Sequence, residues 1–163
     1  MRILVTVLQV SAVFVLIGGA VLALTSSSQA TAAGPSEAAL FPGSGELDGM
    51  TFTTLLAPLG KPGAIHDAIF FRNGQFLSME CEDRCNYPAS AYFSRETDVG
   101  HQFIVEAWCP TKDATMVWRG QIISDEVSGT VTWTTKRFYW TVSSVLEFTG
   151  SAATEAEVAV WRP

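Results

Sequence analysis

Three cysteines and two histidines are the residues of this chain whose chemistry could define a site. Cys81 and Cys85 are separated by three residues, whereas dithiol redox sites use a C-x-x-C spacing at the start of a helix. We therefore expect the cysteines to be structural. The serines offer no catalytic alternative, because the chain contains no G-x-S-x-G motif.

His66 is the histidine that could meet a cysteine. If Asn73-Gly74 forms a two-residue hairpin turn, simple register places His66 opposite Cys81. A zinc site needs three or four protein ligands, and His101 is expected at the other rim. We therefore predict neither a metal site nor a catalytic residue. An enzyme that uses His66 and Cys81 is the third of our functional hypotheses.

The clearest element is a hairpin between Ala114 and Thr135. Two runs of alternating apolar and polar residues flank Ser124-Asp125, which is a hairpin signal. A two-residue turn there fixes the register and turns one apolar face toward a core. The expected pairs on that face are Ile122 with Val127, Gly120 with Gly129, Trp118 with Val131, and Met116 with Trp133. The facing glycines leave a gap that suits a bend or the close approach of another group.

A second hairpin turns at Asn73-Gly74. Its register predicts an inner face formed by Ala68, Phe70, Leu77 and Met79. The other face then carries an apolar strip that needs a cover: Ile69, Phe71 and Phe76.

A third hairpin is predicted around a three-residue turn at residues 98–100. This turn pairs Phe93 with Val105. It gives the inward parity to Phe103 and Ala107, because strand side chains alternate between the two faces.

Short strand-like runs with turn signals between them make up the rest of the chain. We count eight, at residues 50–56, 65–72, 75–81, 89–97, 101–108, 114–123, 126–135 and 138–150. Consecutive hairpins without a long crossover predict an all-β, antiparallel up-and-down meander, and eight strands close naturally into a barrel. A barrel of this size is filled by side chains or holds one small ligand. A β-sandwich is the alternative arrangement.

An uncharged run from Ile3 to Leu24 follows Arg2 and precedes small residues. This order is typical of a secretory signal peptide. The run is longer than the roughly 7–15 residues of a signal core and resembles the stretch of about 20 that spans a bilayer as a helix. We predict a signal peptide or membrane anchor over residues 1–33, a linker over 34–46 and a barrel domain over 47–163. The domain is expected to be periplasmic or secreted, and anchored if the helix is retained.

Aromatic residues, glycines and one cysteine recur at spaced positions within the domain. They are Leu47-Asp48-Gly49, the run from Asp67 to Cys81, Tyr92, the run from Phe103 to Ala107, Trp118-Arg119-Gly120 and the run from Ser128 to Trp133. In these residues the domain resembles a family of small exported bacterial proteins with a lipocalin-like β-barrel and no established activity. The resemblance implies a fold and transfers no catalytic residue.

Cysteine pairing has two geometric alternatives. The strands that end near Cys81 and Cys109 run in the same direction, so Cys109 can meet either Cys81 or Cys85 on one rim. Exported proteins commonly hold such thiols in disulfides. The chain departs from the family that it resembles at Cys85 and Cys109, which favours a Cys85–Cys109 disulfide and leaves Cys81 as a free thiol.

The inward-facing residues suggest a pocket for a small apolar ligand, since such pockets are lined mainly by apolar side chains. The predicted lining is Phe70, Leu77, Met79, Phe103, Met116, Trp118, Gly120, Gly129 and Trp133. The alternative is an anchored accessory subunit that docks on a membrane protein complex through the outer strip of Ile69, Phe71 and Phe76.

The charge balance excludes some partners. Sixteen acidic residues against ten basic ones disfavour nucleic acid and, for the globular domain, anionic lipid headgroups. Contact with a membrane is therefore expected through the N-terminal segment, if that segment is not cleaved. We expect no cofactor.

Overall fold

The structure is a computed structural model in which residues 37–63 and 65–161 are described. These residues belong to one compact unit. The predicted signal peptide or anchor, residues 1–33, lies outside the described residues. Within the two described ranges, no helix is both long enough and apolar enough to cross a lipid bilayer.

Eight β-strands follow one another along the chain: β1 (Thr51–Pro58), β2 (Ile65–Arg72), β3 (Gln75–Ser78), β4 (Ser90–Thr97), β5 (Gly100–Trp108), β6 (Ala114–Ile123), β7 (Glu126–Lys136) and β8 (Thr141–Ala152). The described residues also form a 3₁₀ helix (Glu37–Leu40), α1 (Met79–Cys85) and α2 (Glu155–Trp161). Each strand pairs antiparallel with the next, and β8 pairs with β1. The all-β class and the closed eight-stranded barrel are confirmed, and the β-sandwich alternative is wrong.

The two ends of the barrel differ. The turn end carries the tight turns at residues 73–74, 98–99 and 124–125. The α1 end carries α1, the β1–β2 loop, the β5–β6 loop at residues 109–113 and the β7–β8 turn at residues 137–140.

The hairpin of β6 and β7 has the predicted register. Four pairs are observed in order from the turn: Ile122 with Val127, Gly120 with Gly129, Trp118 with Val131, and Met116 with Trp133. Both strands alternate between apolar and polar residues, with Val117 and Ile123 as exceptions, so the buried face could be identified from the sequence.

The turn between β2 and β3 is also as predicted, with positive φ at both Asn73 and Gly74. The faces of this hairpin, however, are the reverse of the prediction. Three residues that were expected outside belong to the core cluster: Ile69, Phe71 and Phe76. Three that were expected inside lie on the opposite face: Ala68, Phe70 and Leu77.

The pairing of β2 with β1 explains the reversal. Phe52 of β1 lies in the core and is the partner of Ile69, and paired residues share a face of the sheet. β2 is buried on both faces from Asp67 to Phe71, so its own sequence does not distinguish inside from outside. The predicted outer strip therefore does not lie on the outer surface.

β3 ends at Ser78, before its predicted end at Cys81. The Ser78 hydroxyl accepts a hydrogen bond from the Cys81 N–H at 3.2 Å and caps α1. Met79 therefore begins a helix. The predicted opposition of His66 and Cys81 is wrong, because the strand that would create it has already ended.

The turn between β4 and β5 is one residue shorter than predicted. Phe93 consequently pairs with Ile104 and not with Val105. The inward parity of β5 is nevertheless as predicted, because β6 fixes it through the pairing of Phe103 with Gly120. The predicted inward residues lie in the core cluster: Phe103, Val105 and Ala107.

Aromatic rings fill the middle of the barrel. The ring centroid of Phe71 lies 5.0 Å from that of Tyr92 and 5.1 Å from that of Phe103, with nearly perpendicular planes. The centroid of Trp118 lies 5.2 Å from that of Phe148. Aromatic pairs of this kind stabilise a fold by about 0.5–1.5 kcal/mol each beyond the area that they bury.

The gap at the glycine pair is filled by two of these rings. A Cβ atom on Gly120 would overlap the Phe103 ring, and a Cβ atom on Gly129 would lie 2.8 Å from Cζ of Phe148. The absence of side chains at these two positions lets both phenyl rings pack against the backbone.

The turn end is covered by the chain that precedes β1. Gly43 forms a bridge with Ser94 of β4 through two backbone hydrogen bonds of 2.8 Å. The N–H of the fully buried Leu47 donates to the Tyr92 hydroxyl at 2.9 Å, and this hydroxyl donates to Asp48 at 3.0 Å. Part of the predicted linker thus contacts the barrel.

We expect Gly129→Ala to lower the free energy of unfolding by about 1–3 kcal/mol, the usual cost of overpacking a core. The new Cβ would overlap the Arg119 carbonyl oxygen, and that backbone atom cannot turn aside as a side chain can. Urea unfolding measures the change. Ser128→Ala, one residue away on the outer face, is the control and should change stability by less than about 0.5 kcal/mol. Equal stability of Gly129→Ala and the wild type would contradict the packing described for this pair.

Candidate functional site

The residues predicted to line a ligand pocket do not form one lining. Six belong to the inner face of the barrel: Phe103, Met116, Trp118, Gly120, Gly129 and Trp133. Three do not. Phe70 and Leu77 line a shallow concavity on the outer surface, and Met79 is the first residue of α1.

A buried carboxyl group lies inside the barrel near the α1 end. The Asp67 carboxylate accepts hydrogen bonds from the Ser78 hydroxyl at 2.6 Å and from the N–H groups of Ala68 and Glu80 at 2.7 and 2.9 Å. Burial raises the pKa of Asp67 to about 6, although these hydrogen bonds act in the opposite direction. This position was missed because the predicted faces of the β2–β3 hairpin are reversed, which turns Asp67 outward in the prediction.

The Asp67 cluster ties α1 to β2. Ser78 donates to Asp67 with its hydroxyl and accepts from Cys81 with the same oxygen. Glu80 in the first turn of α1 contributes its N–H to the same carboxylate. The arrangement holds the helix over the end of the barrel, which is a structural role.

Cys81 lies beside this cluster as a buried free thiol, with its Sγ 3.5 Å from Sδ of Met116. Burial raises the pKa of Cys81 to about 12, so the thiol is protonated at neutral pH and is a poor nucleophile. His66 is exposed and pairs with Leu55 of β1. In the described part of the chain, no three His, Cys, Asp or Glu side chains are placed to hold a metal ion.

The predicted disulfide between Cys85 and Cys109 is absent, and all three thiols, each within the described ranges, are free. The Cys109 thiol instead donates to the backbone carbonyl oxygen of Cys85 at 3.4 Å. Cys85 ends α1, and Asn86 caps the helix in a left-handed conformation. The sequence predicts no helix at this position, and the Cys85–Cys109 pair was favoured only by the departure from the family at these two cysteines.

Cys109 differs from Cys81 in its surroundings. Burial alone would raise the pKa of Cys109, but hydrogen bonds from the Thr111 hydroxyl and from the backbone of Thr111 and Lys112 lower it. The side chain is fully buried in the core cluster, so access to the thiol is blocked even though these hydrogen bonds lower its pKa.

A concavity of about 340 Å³ lies on the outer surface above the glycine pair. Its charged residues are Arg119, which forms an ion pair with Glu37 of the 3₁₀ helix, and Arg95, whose guanidinium lies 4.9 Å from the centre of the Phe41 ring. The bond from Arg119 lowers the pKa of Glu37. Glu37 and Phe41 were assigned to a linker, so the sequence analysis did not identify this concavity.

The α1 end exposes three consecutive aromatic residues at the β7–β8 turn. Phe138 is 94% exposed, Tyr139 85% and Trp140 60%. The strand predicted at residues 138–150 begins only at Thr141, so all three aromatic residues lie in the turn between β7 and β8.

We expect Asp67→Asn to remove a pH dependence of stability. A carboxyl group whose pKa is raised on folding stabilises the protein below its unfolded-state pKa, and this contribution is lost as pH rises through about 6. Between pH 4 and pH 7 the variant should therefore gain about 2–3 kcal/mol relative to the wild type in urea unfolding. Asp125→Asn, in an exposed turn, is the control for general charge effects. Parallel pH profiles for Asp67→Asn and the wild type would contradict the assignment.

Comparison of the chain with protein-family models, with curated proteins and with solved structures gives no match.

Proposed function

We propose that the protein is a non-enzymatic, extracytoplasmic β-barrel that acts through its outer surface, as an accessory or interaction subunit at a membrane. One observation carries this proposal. The interior at the glycine pair is filled by phenyl rings, whereas three large aromatic side chains are exposed together at the α1 end. Exposed apolar patches of this kind usually mark interaction sites.

The packed interior argues against a ligand held within the barrel. An eight-stranded barrel holds a small ligand only where its inner side chains leave room. Here the ring of Trp118 is packed between Phe76 and Phe148, with centroids 5.0 and 5.2 Å away. Trp118, which was expected to line a cavity, therefore has ring neighbours on both sides.

The environment of the candidate nucleophile supports a non-enzymatic role. The raised pKa of Cys81 keeps its thiol protonated, and the Asp67 carboxylate is engaged by three donors that fix α1. These groups are better suited to holding the fold than to transferring protons to a substrate.

The extracytoplasmic location rests on the sequence. The uncharged segment from Ile3 to Leu24 after Arg2 is typical of an export signal or an anchor. The resemblance to exported β-barrel proteins agrees with this location.

We expect an uncharged apolar dye or decanol to cause no saturable change in the tryptophan fluorescence of the full chain, because Trp118 has ring neighbours in the space that a ligand would need. Phe148→Ala is the positive control. It removes a ring beside Trp118, and apolar cavities made in this way bind small apolar molecules. Saturable binding to the wild type that Phe148→Ala alters would show an internal site and overturn the proposal.

A second candidate function is the binding of a small amphipathic carboxylate, favoured by the outer concavity above the glycine pair. Its volume of about 340 Å³ falls in the range of ligand pockets. Phe41 provides apolar surface, and Arg95 and Arg119 provide guanidinium groups that suit a carboxylate. Glu37 supplies such a carboxylate from within the chain.

For this candidate we expect calorimetry to show decanoate binding that Arg119→Gln weakens by at least about tenfold, since it removes a charge-assisted hydrogen bond. Glu37→Gln should strengthen binding, because it frees the guanidinium. Decanol is the ligand control, and Arg72→Gln, an exposed arginine of β2, is the protein control. Equal decanoate affinity of Arg119→Gln and the wild type would eliminate this candidate.

A further inference from the structure

We infer that the β7–β8 turn, residues 137–140, inserts its aromatic side chains into the headgroup region of an anionic lipid bilayer. The inference rests on the proposed function and names the partner of the exposed end as a lipid surface. We call residues 137–140 the aromatic turn.

The aromatic turn stands beyond the wall of the barrel. β1 reaches β8 as far as the pair of Pro58 with Leu146. β8 continues past this point to Thr141 alongside β7, and residues 141–145 are all exposed. Even Val142, which has the inward parity, is exposed, so this part of the hairpin projects into solvent.

The backbone of the projecting hairpin is well bonded. Lys136 pairs with Thr141, and the N–H of Arg137 donates to the carbonyl oxygen of Trp140 at 2.8 Å. The N–H of Lys136 also donates to the backbone carbonyl oxygen of Asp113 in the β5–β6 loop at 2.8 Å. Internally bonded backbone groups lower the cost of leaving water for a bilayer.

The side chains of the aromatic turn are those found where proteins meet the bilayer surface. The rings of Phe138 and Tyr139 lie together, with centroids 5.2 Å apart, and Trp140 follows them. Tryptophan and tyrosine concentrate at the membrane interface because one part of the ring is apolar and another is polar. Leu59, also exposed, adjoins the hairpin and donates its N–H to Val145 at 3.2 Å.

Local charge favours an anionic surface despite the acidic character of the whole chain. All three lysines of the sequence lie at the α1 end: Lys61, Lys112 and Lys136. The aromatic turn adds Arg137. The β5–β6 loop and the aromatic turn with Lys136 before it together carry a net charge of +2. They contain three basic residues and one acidic residue: Lys112, Lys136, Arg137 and Asp113.

The acidic residues of α1 share this end but lie on its far side. They are Glu80, Glu82 and Asp83, with Arg84 beside them. α1 joins β3 to β4, and in the closed strand order these strands are opposite β7 and β8. The basic side of the rim therefore faces a membrane when the aromatic turn does.

The shape of this feature favours lipid over protein. A narrow projecting turn with exposed rings on successive residues would need a matching socket in a protein partner, whereas lipid headgroups rearrange around it. Basic residues that flank interfacial aromatic residues match the layered chemistry of an anionic bilayer, with phosphates outside and acyl chains within.

The test uses the full chain mixed with vesicles of phosphatidylcholine, alone or in an equal mixture with phosphatidylglycerol, carrying brominated acyl chains. Bromine quenches nearby tryptophans, and the difference between the wild type and Trp140→Phe isolates Trp140 even if the N-terminal segment also binds. We expect bromine to quench part of the tryptophan fluorescence of the wild type, and we expect this quenched part to be absent from Trp140→Phe. Phe138→Ser/Tyr139→Ser should reduce the quenching of Trp140.

We expect stronger quenching with phosphatidylglycerol than with phosphatidylcholine alone, and Lys136→Gln/Arg137→Gln should abolish this difference. Val99→Ser is the matched control, since Val99 is 65% exposed in a turn at the opposite end, and it should leave quenching unchanged. Equal quenching in both lipid mixtures would overturn the role assigned to the basic residues. Equal quenching of the wild type and Trp140→Phe would overturn lipid insertion. The proposed function would survive that result if the apolar-ligand titration still showed no internal site.

Discussion

Closure of the sheet between β1 and β8 is the constraint on which the rest of this structure depends. Once Phe52 and Phe148 are fixed on these strands as inward residues, the parity of every other strand follows through its neighbours. The enclosed space must then be filled. The chain fills it with interlocking phenyl, phenol and indole rings, and it makes room for two of them by omitting side chains at Gly120 and Gly129. The apolar side chains that remain outside this core are the ones available for interactions with other molecules.

The sequence was informative where one strand face was apolar and the other polar. β6 and β7 alternate in this way on both sides of a two-residue turn, so their register could be derived residue by residue. The turn of β2 and β3 was equally clear, yet its faces were not, because β2 is apolar on both and only its long-range pairing with β1 decides between them. The barrel could be predicted from local signals, whereas the orientation of one hairpin depended on a partner that local signals do not reveal.

The candidate sites depended on helices and loops, and these were harder to read. The signal for α1 was present in Ser78 followed by an acidic first turn, but it was obscured by a strand-like run before it. That misreading placed His66 opposite Cys81 and Cys85 within reach of a disulfide. The aromatic residues after Arg137 were misassigned for a different reason, since aromatic side chains are common in strands. Their exposure, which only the folded chain reveals, shows that they are not part of a buried strand.

The short β3 leaves part of one edge of β4 without a neighbouring strand. β3 pairs with β4 only at Ser90 and Ala91, and farther along the same edge Ser94 is bridged to Gly43. The segment that the sequence predicts to be a linker therefore covers part of the open edge of β4. Cleaved or displaced, it would leave unpaired donors and acceptors that another polypeptide could join by strand addition. The chain can therefore be shortened from its N-terminus only to a point before Gly43 if this edge of β4 is to stay covered and not self-associate.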